Sequence, residues 1–482
     1  MADIILLQPI FGHWDSLRTA PTMPLGLIAA ANLISKEFDV KIIDERIDEN
    51  WRETLKSELL KKPLLVGLRS LTGNQIKHAL DISKLVRDNS DVPIVWGGVH
   101  PSITAVQAIQ HPLIDYIVFG EGEETLLELA RCLSDKNSPD KVKGMWLEKD
   151  GKPFFTGDRD FVDIDRLDIP PYHLIDIKKY LPLEFGKPTL YIESSRGCPH
   201  NCIFCYNKFF HRRRWRGISP DIFIRNLKKA LELSGAGHVY IVDENSFVKL
   251  DRMLLIAEGM KDLGITWTTT GGHIRQMYTL KDAELRLLEE SGCRRMYFGV
   301  ETGSENVLNK INKDLNLDEL IAFNKRLEDY NIIPRYSFLT GLPYESKSDL
   351  VDTTDLILRL IKDNSKSSVT ALGIFTPYPG SELFDKMLEE GYKAPESLEE
   401  WGEMLQEKTT LPWLSNKRRK ELESLYYLSF FIDSKAKDFV CNPLINLLAS
   451  IYQPIARFRM KHHFFSLMPE RFIARKVMES KS

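Results

Sequence analysis

Residues 189–207 read TLYIESSRGCPHNCIFCYN. The first four residues are apolar, aromatic or β-branched and read as a short buried strand. The chain then turns into a loop marked by Gly197 and Pro199, and within eight residues it places Cys198, Cys202 and Cys205 in the spacing C-x3-C-x2-C. The chain has six cysteines, and the others, Cys132, Cys293 and Cys441, are scattered. A disulfide framework does not have this distribution in so large a chain, so ligation is the better reading of the crowded three. The scattered three are expected to be small buried residues. Thiolates hold iron–sulfur clusters, and a 4Fe–4S cube usually takes four of them. Three leave one iron open to a small molecule that carries an amine and a carboxylate. The alternatives are a zinc site completed by His200 or His211, or three unrelated core cysteines.

Downstream of this loop, short apolar runs alternate with amphipathic helical patterns. Strands are predicted at HVYIVDE, TWTTTGG, RMYFGVE, IPRYSFLTG and VTALGIF, with helices between them. With the opening strand this makes six βα units, too few to close an eight-unit barrel, and they suit an open partial barrel of parallel strands. Ligands then sit at the carboxyl ends of the strands, where the cysteine loop lies.

Upstream, DIILL, DVKIID, PLLVGLRS, VPIVWGG and DYIVFG alternate with helical segments over the first 140 residues. That is the pattern of a doubly wound, Rossmann-like parallel sheet. VKGMWLEKDGKPFF reads as a hairpin turning at Asp150 and Gly151, and the Pro-containing stretch after it reads as a linker. The expected organisation is therefore an α/β chain: a doubly wound domain over 1–140, hairpin and linker over 141–185, a partial (β/α)6 barrel over 186–385, and a mostly helical region over 386–482.

The triplet with Phe204 before its last cysteine resembles the signature of the radical SAM superfamily, whose members cleave S-adenosylmethionine (SAM) at a 4Fe–4S cluster. Three later stretches resemble family motifs in order. They are FGVETGSENVL with Glu301, SFLTGLPYES with Gly341 and Glu345, and FTPYPGSELF with Pro377, Pro379 and Gly380. The resemblance implies that Cys198, Cys202 and Cys205 hold the cluster, and that Glu301, Gly341 and Pro377 contact SAM. It places Asp243 and Glu244 of VDEN near the site; capping is their bland alternative. It implies a 5′-deoxyadenosyl radical and an electron donor such as flavodoxin or ferredoxin.

The first domain resembles the cobalamin-binding domain that precedes many radical SAM domains, through TMPLGLIAAANL, VGLRSLTGNQI, VWGGVHPSI and VFGEGEETLLEL. On that resemblance Ser70, Leu71, Thr72, Gly97, Gly98, Gly120, Glu121 and Gly122 form the cobalamin site at the strand ends. The Asp-x-His-x-x-Gly motif that supplies a lower axial histidine is missing. His100 stands without the aspartate, and Arg69 or Leu71 is left for the position beneath cobalt. No GxGxxG follows the first strand, which counts against a dinucleotide. The combined resemblance implies a cobalamin-dependent radical SAM methyltransferase working on an unactivated carbon. A cyclase, ring-rearranging or oxidative enzyme is the first alternative, and a non-catalytic iron–sulfur or corrin-binding sensor the second.

The 482 residues are 43% hydrophobic and 28% charged, with a net charge of -3, which excludes a strongly basic nucleic-acid binder. The opening MADIILLQPIFGHWD has no basic n-region and no apolar run of leader length, and no segment reads as membrane-spanning, so a cytoplasmic protein is expected. A small molecule, lipid or peptide is the expected substrate. Arg213, Arg214 and Arg216 of HRRRWRG are candidates for an anionic group, with a solvated loop as the alternative. His273 is read as a structural hydrogen-bonding residue. The aromatic and basic segment SIYQPIARFRMKHHFFSLMPERFIARK is read as a helix covering the barrel with its basic residues outward, ahead of a membrane-surface helix.

Overall fold

The computed structural model describes residues 2–12, 15, 18–167, 169–404, 411–433, 443–465, 468 and 470–471. Cys441 lies outside the described residues.

The N-terminal sheet is built from β1 (Ile4–Gln8), β2 (Val40–Asp44), β3 (Leu65–Arg69), β4 (Ile94–Gly97), β5 (Tyr116–Val118), β6 (Met145–Lys149) and β7 (Lys152–Phe155). Its order is β2-β1-β3-β4-β5-β6-β7, parallel through β5 and antiparallel after it. The β6–β7 hairpin turns at Asp150 and Gly151, both with positive φ, and it forms the edge of this sheet. Strand β1 shows why the sheet is covered on both faces. Ile5 and Leu7 pack with the helices 51–59 and 74–89, whereas Ile4 and Leu6 pack with the helices 25–34 and 123–134. Alternate residues of a strand face opposite ways, so an unbroken apolar run such as IILL needs helices on both sides.

The second sheet begins with the short antiparallel pair β8 (Leu183–Glu184) and β9 (Lys187–Ile192). A two-residue ladder, β10 (Ser195–Arg196) with β11 (Arg216–Gly217), ties the cysteine loop at its base. The barrel strands β12 (His238–Ile241), β13 (Thr266–Gly272), β14 (Cys293–Glu301) and β15 (Ile333–Thr340) follow. The sixth position is split into β16 (Ser368–Val369) and β17 (Gly373–Ile374), both paired to β15. All these barrel neighbours from β9 onward are parallel. This is the open six-unit barrel that the apolar runs predict.

The C-terminal region clasps both halves. Leu398, Trp401 and Met404 enter the core of the N-terminal domain, and Trp401 Nε1 donates to Gln107 Oε1 at 2.8 Å. Leu422, Leu425 and Leu428 of the helix 416–428 enter the barrel core. The helix Pro443–Lys461 covers the barrel through Ala456 and Met460. Its polarity differs from the sequence expectation. Arg459 turns inward and pairs with Glu470 at 2.6 Å, and several of its large apolar side chains face out.

Candidate functional site

The cysteine loop is held from three sides. Ile203 N–H donates to Ile311 O (3.1 Å), and Leu383 N–H donates to Ile203 O (2.8 Å). Ile203 also packs with Val307, Ile311, Leu342, Phe375 and Leu383, so one small apolar cluster joins the cysteine loop to the loops that carry the later motifs. The third side is VDEN at the end of β12. Asp243 accepts from Ser194 N–H (2.7 Å) and from the hydroxyls of Ser194 and Ser195. Glu244 accepts from Gly197 N–H at 3.0 Å and pairs with His211 at 3.3 Å. Burial alone would raise the Glu244 carboxyl, but His211 and Gly197 hold it below its ordinary range. Asn245 Nδ2 reaches Cys198 Sγ at 3.9 Å. These carboxylates therefore brace the loop, which neither the capping reading nor mere nearness anticipates. Gly197 must be glycine: its φ is +85°, and a Cβ there would lie 2.0 Å from Arg214 O.

Cys198, Cys202 and Cys205 are all partly exposed free thiols. Burial raises all three thiol pKa values, that of Cys205 to about 11. Such thiols become thiolates when a positively charged centre is bound beside them, so the donor set fits a cluster. Cys293 is fully buried in the barrel core and Cys132 is partly exposed.

Beside the triplet lies a buried ion pair. Lys313 Nζ is 3.3 Å from Glu301 Oε1, and both side chains are nearly inaccessible. Burial opposes the Lys313 charge, but Glu301 and Cys202 raise its pKa. Glu301 has φ +71°, a conformation uncommon for a residue with a side chain. Lys313 was not legible in sequence, because it follows the short helix 305–310 in no periodic relation to any motif. Gly341 also has positive φ. Its N–H donates to Glu345 Oε2 at 2.8 Å, and its carbonyl accepts from Trp413 Nε1 at 3.0 Å. Burial pushes the Glu345 carboxyl up to about 7. Pro377 is buried just beyond β17.

His200 and His273 stack face to face, with ring centroids 3.8 Å apart and an interplanar angle of 7°. Asp314 lies near enough to suggest a metal triad. Stacked rings hold their in-plane lone pairs in two nearly parallel planes, which do not converge on one ion, and Asp314 is engaged by Arg275 at 2.8 Å. His273 is buried against His200, with the backbone of Asp314 beside its ring. Burial pushes its pKa down to about 3, so the ring is neutral.

Opposite the barrel, the N-terminal strand ends border a cavity of about 530 Å3. Leu71, Gly97, Gly98, Gly120, Glu121 and Gly122 line it, together with Gly26, Arg69 and Val99. From the barrel side it is lined by Glu193, Arg196, Tyr206, Phe210, His211 and Glu244. A Cβ at Gly120 would meet nothing within 4 Å, so the backbone there is bare to the cavity. This glycine bed fits a broad flat macrocycle such as a corrin. Ser70 and Thr72 are not in the lining. Ser70 is fully buried, and the Thr72 hydroxyl lies 2.9 Å from His100 Nδ1. The other nitrogen of His100 faces Thr104 at 3.2 Å, and burial holds its pKa down to about 3. His100 is thus a satisfied interior residue and not a ligand lining the cavity.

Glu121 lines the cavity, but its carboxylate is taken by arginines. Arg216 Nη1 donates to it at 3.0 Å, and Arg196 Nη1 lies 3.4 Å away. Arg196 also donates to Glu123 at 2.7 Å and to Glu193 at 3.2 Å. Burial alone would lower the Arg196 pKa, yet Glu123, Glu193 and Glu121 raise it well above its ordinary value. Arg216 therefore serves as a clamp between the domains. Arg213 and Arg214 are not in the cavity lining.

Residues 192–357 match the radical SAM superfamily, and residues 18–130 match the B12-binding domain. This chain belongs to the radical SAM superfamily and carries an N-terminal B12-binding domain. Its cofactors are accordingly a 4Fe–4S cluster, SAM and cobalamin. An uncharacterized methyltransferase of Pyrococcus horikoshii is 29% identical over 369 residues, 75% of this chain and 78% of that one. An anaerobic magnesium-protoporphyrin IX monomethyl ester cyclase of Rubrivivax gelatinosus is 26% identical, over 72% of this chain and 63% of its own length. The cobalamin-dependent SAM radical enzyme OxsB, solved with aqua-cobalamin and SAM, superposes with a TM-score of 0.77 at 18% identity. That match covers 99% of this chain and 75% of OxsB, and it establishes the shared fold. Among the described residues, no helix is long and apolar enough to cross a membrane.

Proposed function

We propose that this radical SAM protein is a cobalamin-dependent methyltransferase that acts on an unactivated carbon. The observation that carries the reading is the single cavity lined on one side by the glycine bed of the B12-binding domain and on the other by barrel residues that brace the cysteine loop. The likeness to the Pyrococcus methyltransferase supports it.

When bound, the cofactors supply one-electron cleavage of a carbon–sulfur bond and a transferable methyl group. The side chains bind, orient and exclude water. Cys198, Cys202 and Cys205 are the cluster ligands in this reading. Lys313 and Glu301 present a cation and a carboxylate side by side, which complements the carboxylate and ammonium of the methionine end of SAM. Gly341 and Pro377 shape the loops beside that pair. Gly97, Gly98, Gly120 and Gly122, with Leu71, would hold a corrin at the strand ends. His100 is sealed by Thr72 and Thr104, so Arg69 and Leu71, which line the cavity, are the side chains that would lie against a bound corrin. Arg196 and Arg216, by joining Glu121 and Glu123 to the barrel, fix the spacing of the two faces. The substrate is a small molecule, lipid or peptide that reaches the cavity, and the electron comes from a low-potential donor such as flavodoxin or ferredoxin.

The test is product analysis under anaerobic conditions with reductant, cobalamin and substrate. Methyl transfer yields both S-adenosylhomocysteine and 5′-deoxyadenosine. If 5′-deoxyadenosine forms without S-adenosylhomocysteine, methyl transfer is wrong and oxidative cyclisation, the second reading favoured by the likeness to the Rubrivivax cyclase, takes its place.

A further inference from the structure

The helix Pro443–Lys461 has two faces of unusual arrangement. Its inner face places Ala456 and Met460 in the barrel core, and its cation Arg459 is buried against Glu470 and Tyr452. Its outer face carries Leu447, Ile451, Ile455 and Phe458, which are 57%, 63%, 52% and 61% exposed. Their spacings of four, four and three residues make one continuous stripe along a helix. Scattered exposed apolar residues need no explanation, whereas an apolar stripe of three turns marks a binding surface. Lys461 and His462, both exposed, stand at its end, and Phe464, 51% exposed, lies just beyond.

Charge decides what covers the stripe. From residue 443 to the last residue the sequence holds seven Lys or Arg against two Glu, in a chain whose net charge is -3. Of these cations Arg459 is taken by Glu470 and Arg471 lies 3.6 Å from Glu423, whereas Lys461 stands exposed at the end of the stripe. A single convex helix that is apolar outward and basic at its end has the chemistry of a segment that lies in a membrane interface, with its apolar side chains among acyl chains and its cations at anionic headgroups.

We propose that this helix docks the protein on an anionic phospholipid surface, lying in the interface without crossing it. The attachment is independent of the proposed methyl transfer, because the stripe lies on the outer face of a helix that covers the barrel.

The test is co-flotation of the full-length, cluster- and cobalamin-loaded protein with vesicles of equimolar phosphatidylcholine and phosphatidylglycerol. The protein is expected to float with these vesicles at low salt and to be recovered much less with phosphatidylcholine alone. The double variant Ile451→Glu, Phe458→Glu should bind about tenfold less or weaker still, and K461E should weaken binding and its salt dependence. Both sites are exposed, so cluster content and SAM cleavage should match those of the parent. Failure of the parent protein to float with anionic vesicles overturns the proposal. So does a dimer in light scattering that the double variant converts to monomer, because a second copy would then cover the stripe.

Discussion

Arg196 Nη1 lies 2.7 Å from Glu123 Oε1, and this contact joins the residue two before Cys198 to the first residue of the helix 123–134 of the B12-binding domain. Both side chains are almost inaccessible. Removing Glu123 leaves Arg196 with Glu193 at 3.2 Å and Glu121 at 3.4 Å, so the loss is that of one charged hydrogen bond. Glu123→Ala is therefore expected to lower stability by about 1.5–3 kcal/mol and to separate the unfolding of the two domains. Calorimetry reads both effects. One unchanged transition would show that the contact does not couple the domains.

The cysteine triplet gives the second prediction. Replacing any one of Cys198, Cys202 and Cys205 by Ala should remove nearly all iron and sulfide from the reconstituted protein and abolish SAM cleavage. Cobalamin retention should persist, since Gly97, Gly98 and Gly120 are untouched. Iron analysis and the corrin absorption spectrum separate the two sites. Full iron content in all three variants would end the cluster assignment.

The buried pair beside the triplet gives the third. Lys313→Ala removes the cation offered to a carboxylate, and a lost charged hydrogen bond costs about 1.5–3 kcal/mol. SAM binding should weaken roughly ten- to hundredfold by the same estimate, with partial recovery in Lys313→Arg. Equilibrium binding to the cluster-loaded enzyme is the measurement. Unchanged affinity in the Ala variant would remove Lys313 from the SAM site.

The glycine bed gives the fourth. Gly97 has no positive φ, and a Cβ there meets only ordinary contacts at 3.8–4.0 Å. Gly97→Val should keep the fold while crowding the cavity, so cobalamin retention should fall about tenfold by the cost of overpacking. The apo form should melt near the parent temperature. Undiminished retention would move the corrin away from this strand end.

The folds were legible because each element repeats one rule many times. IILL at 4–7 is apolar without interruption and becomes a strand covered on both faces, and the six barrel strands each precede an amphipathic helix. The cysteine loop was legible because its ligands are adjacent in sequence. What escaped were contacts between segments far apart. Lys313 meets Glu301 across a helix and a turn, and Arg196 meets Glu123 across 73 residues. His100 is held by Thr72 and Thr104 on its two nitrogens, contacts that come from 28 and 4 residues away. The polarity of the helix 443–461 escaped for a similar reason. Arg459 is buried because Glu470 is placed to receive it, and no spacing rule announces that partner.

Glu345 provides a prediction about pH. Its carboxyl is buried beneath Gly341, accepts the Gly341 N–H, and stands 3.6 Å from Arg418 of the C-terminal helix 416–428. Burial raises its pKa from an ordinary 4.5 to about 7. A carboxyl with a raised folded-state pKa stabilises the fold fully below pH 4.5, where folded and unfolded chains are both protonated. As pH rises the unfolded chain releases its proton first, so stability falls between about pH 4.5 and 7, by about 3 kcal/mol in total. Gln keeps the acceptor for Gly341 N–H and carries no charge. Arg418 keeps Glu421 at 2.9 Å as a partner. Glu345→Gln should therefore match the parent near pH 4.5 and exceed its stability by about 3 kcal/mol at pH 8. Denaturation midpoints of the two proteins measured across this range should diverge with rising pH. Parallel curves would place the Glu345 pKa at its ordinary value and the carboxylate in contact with water.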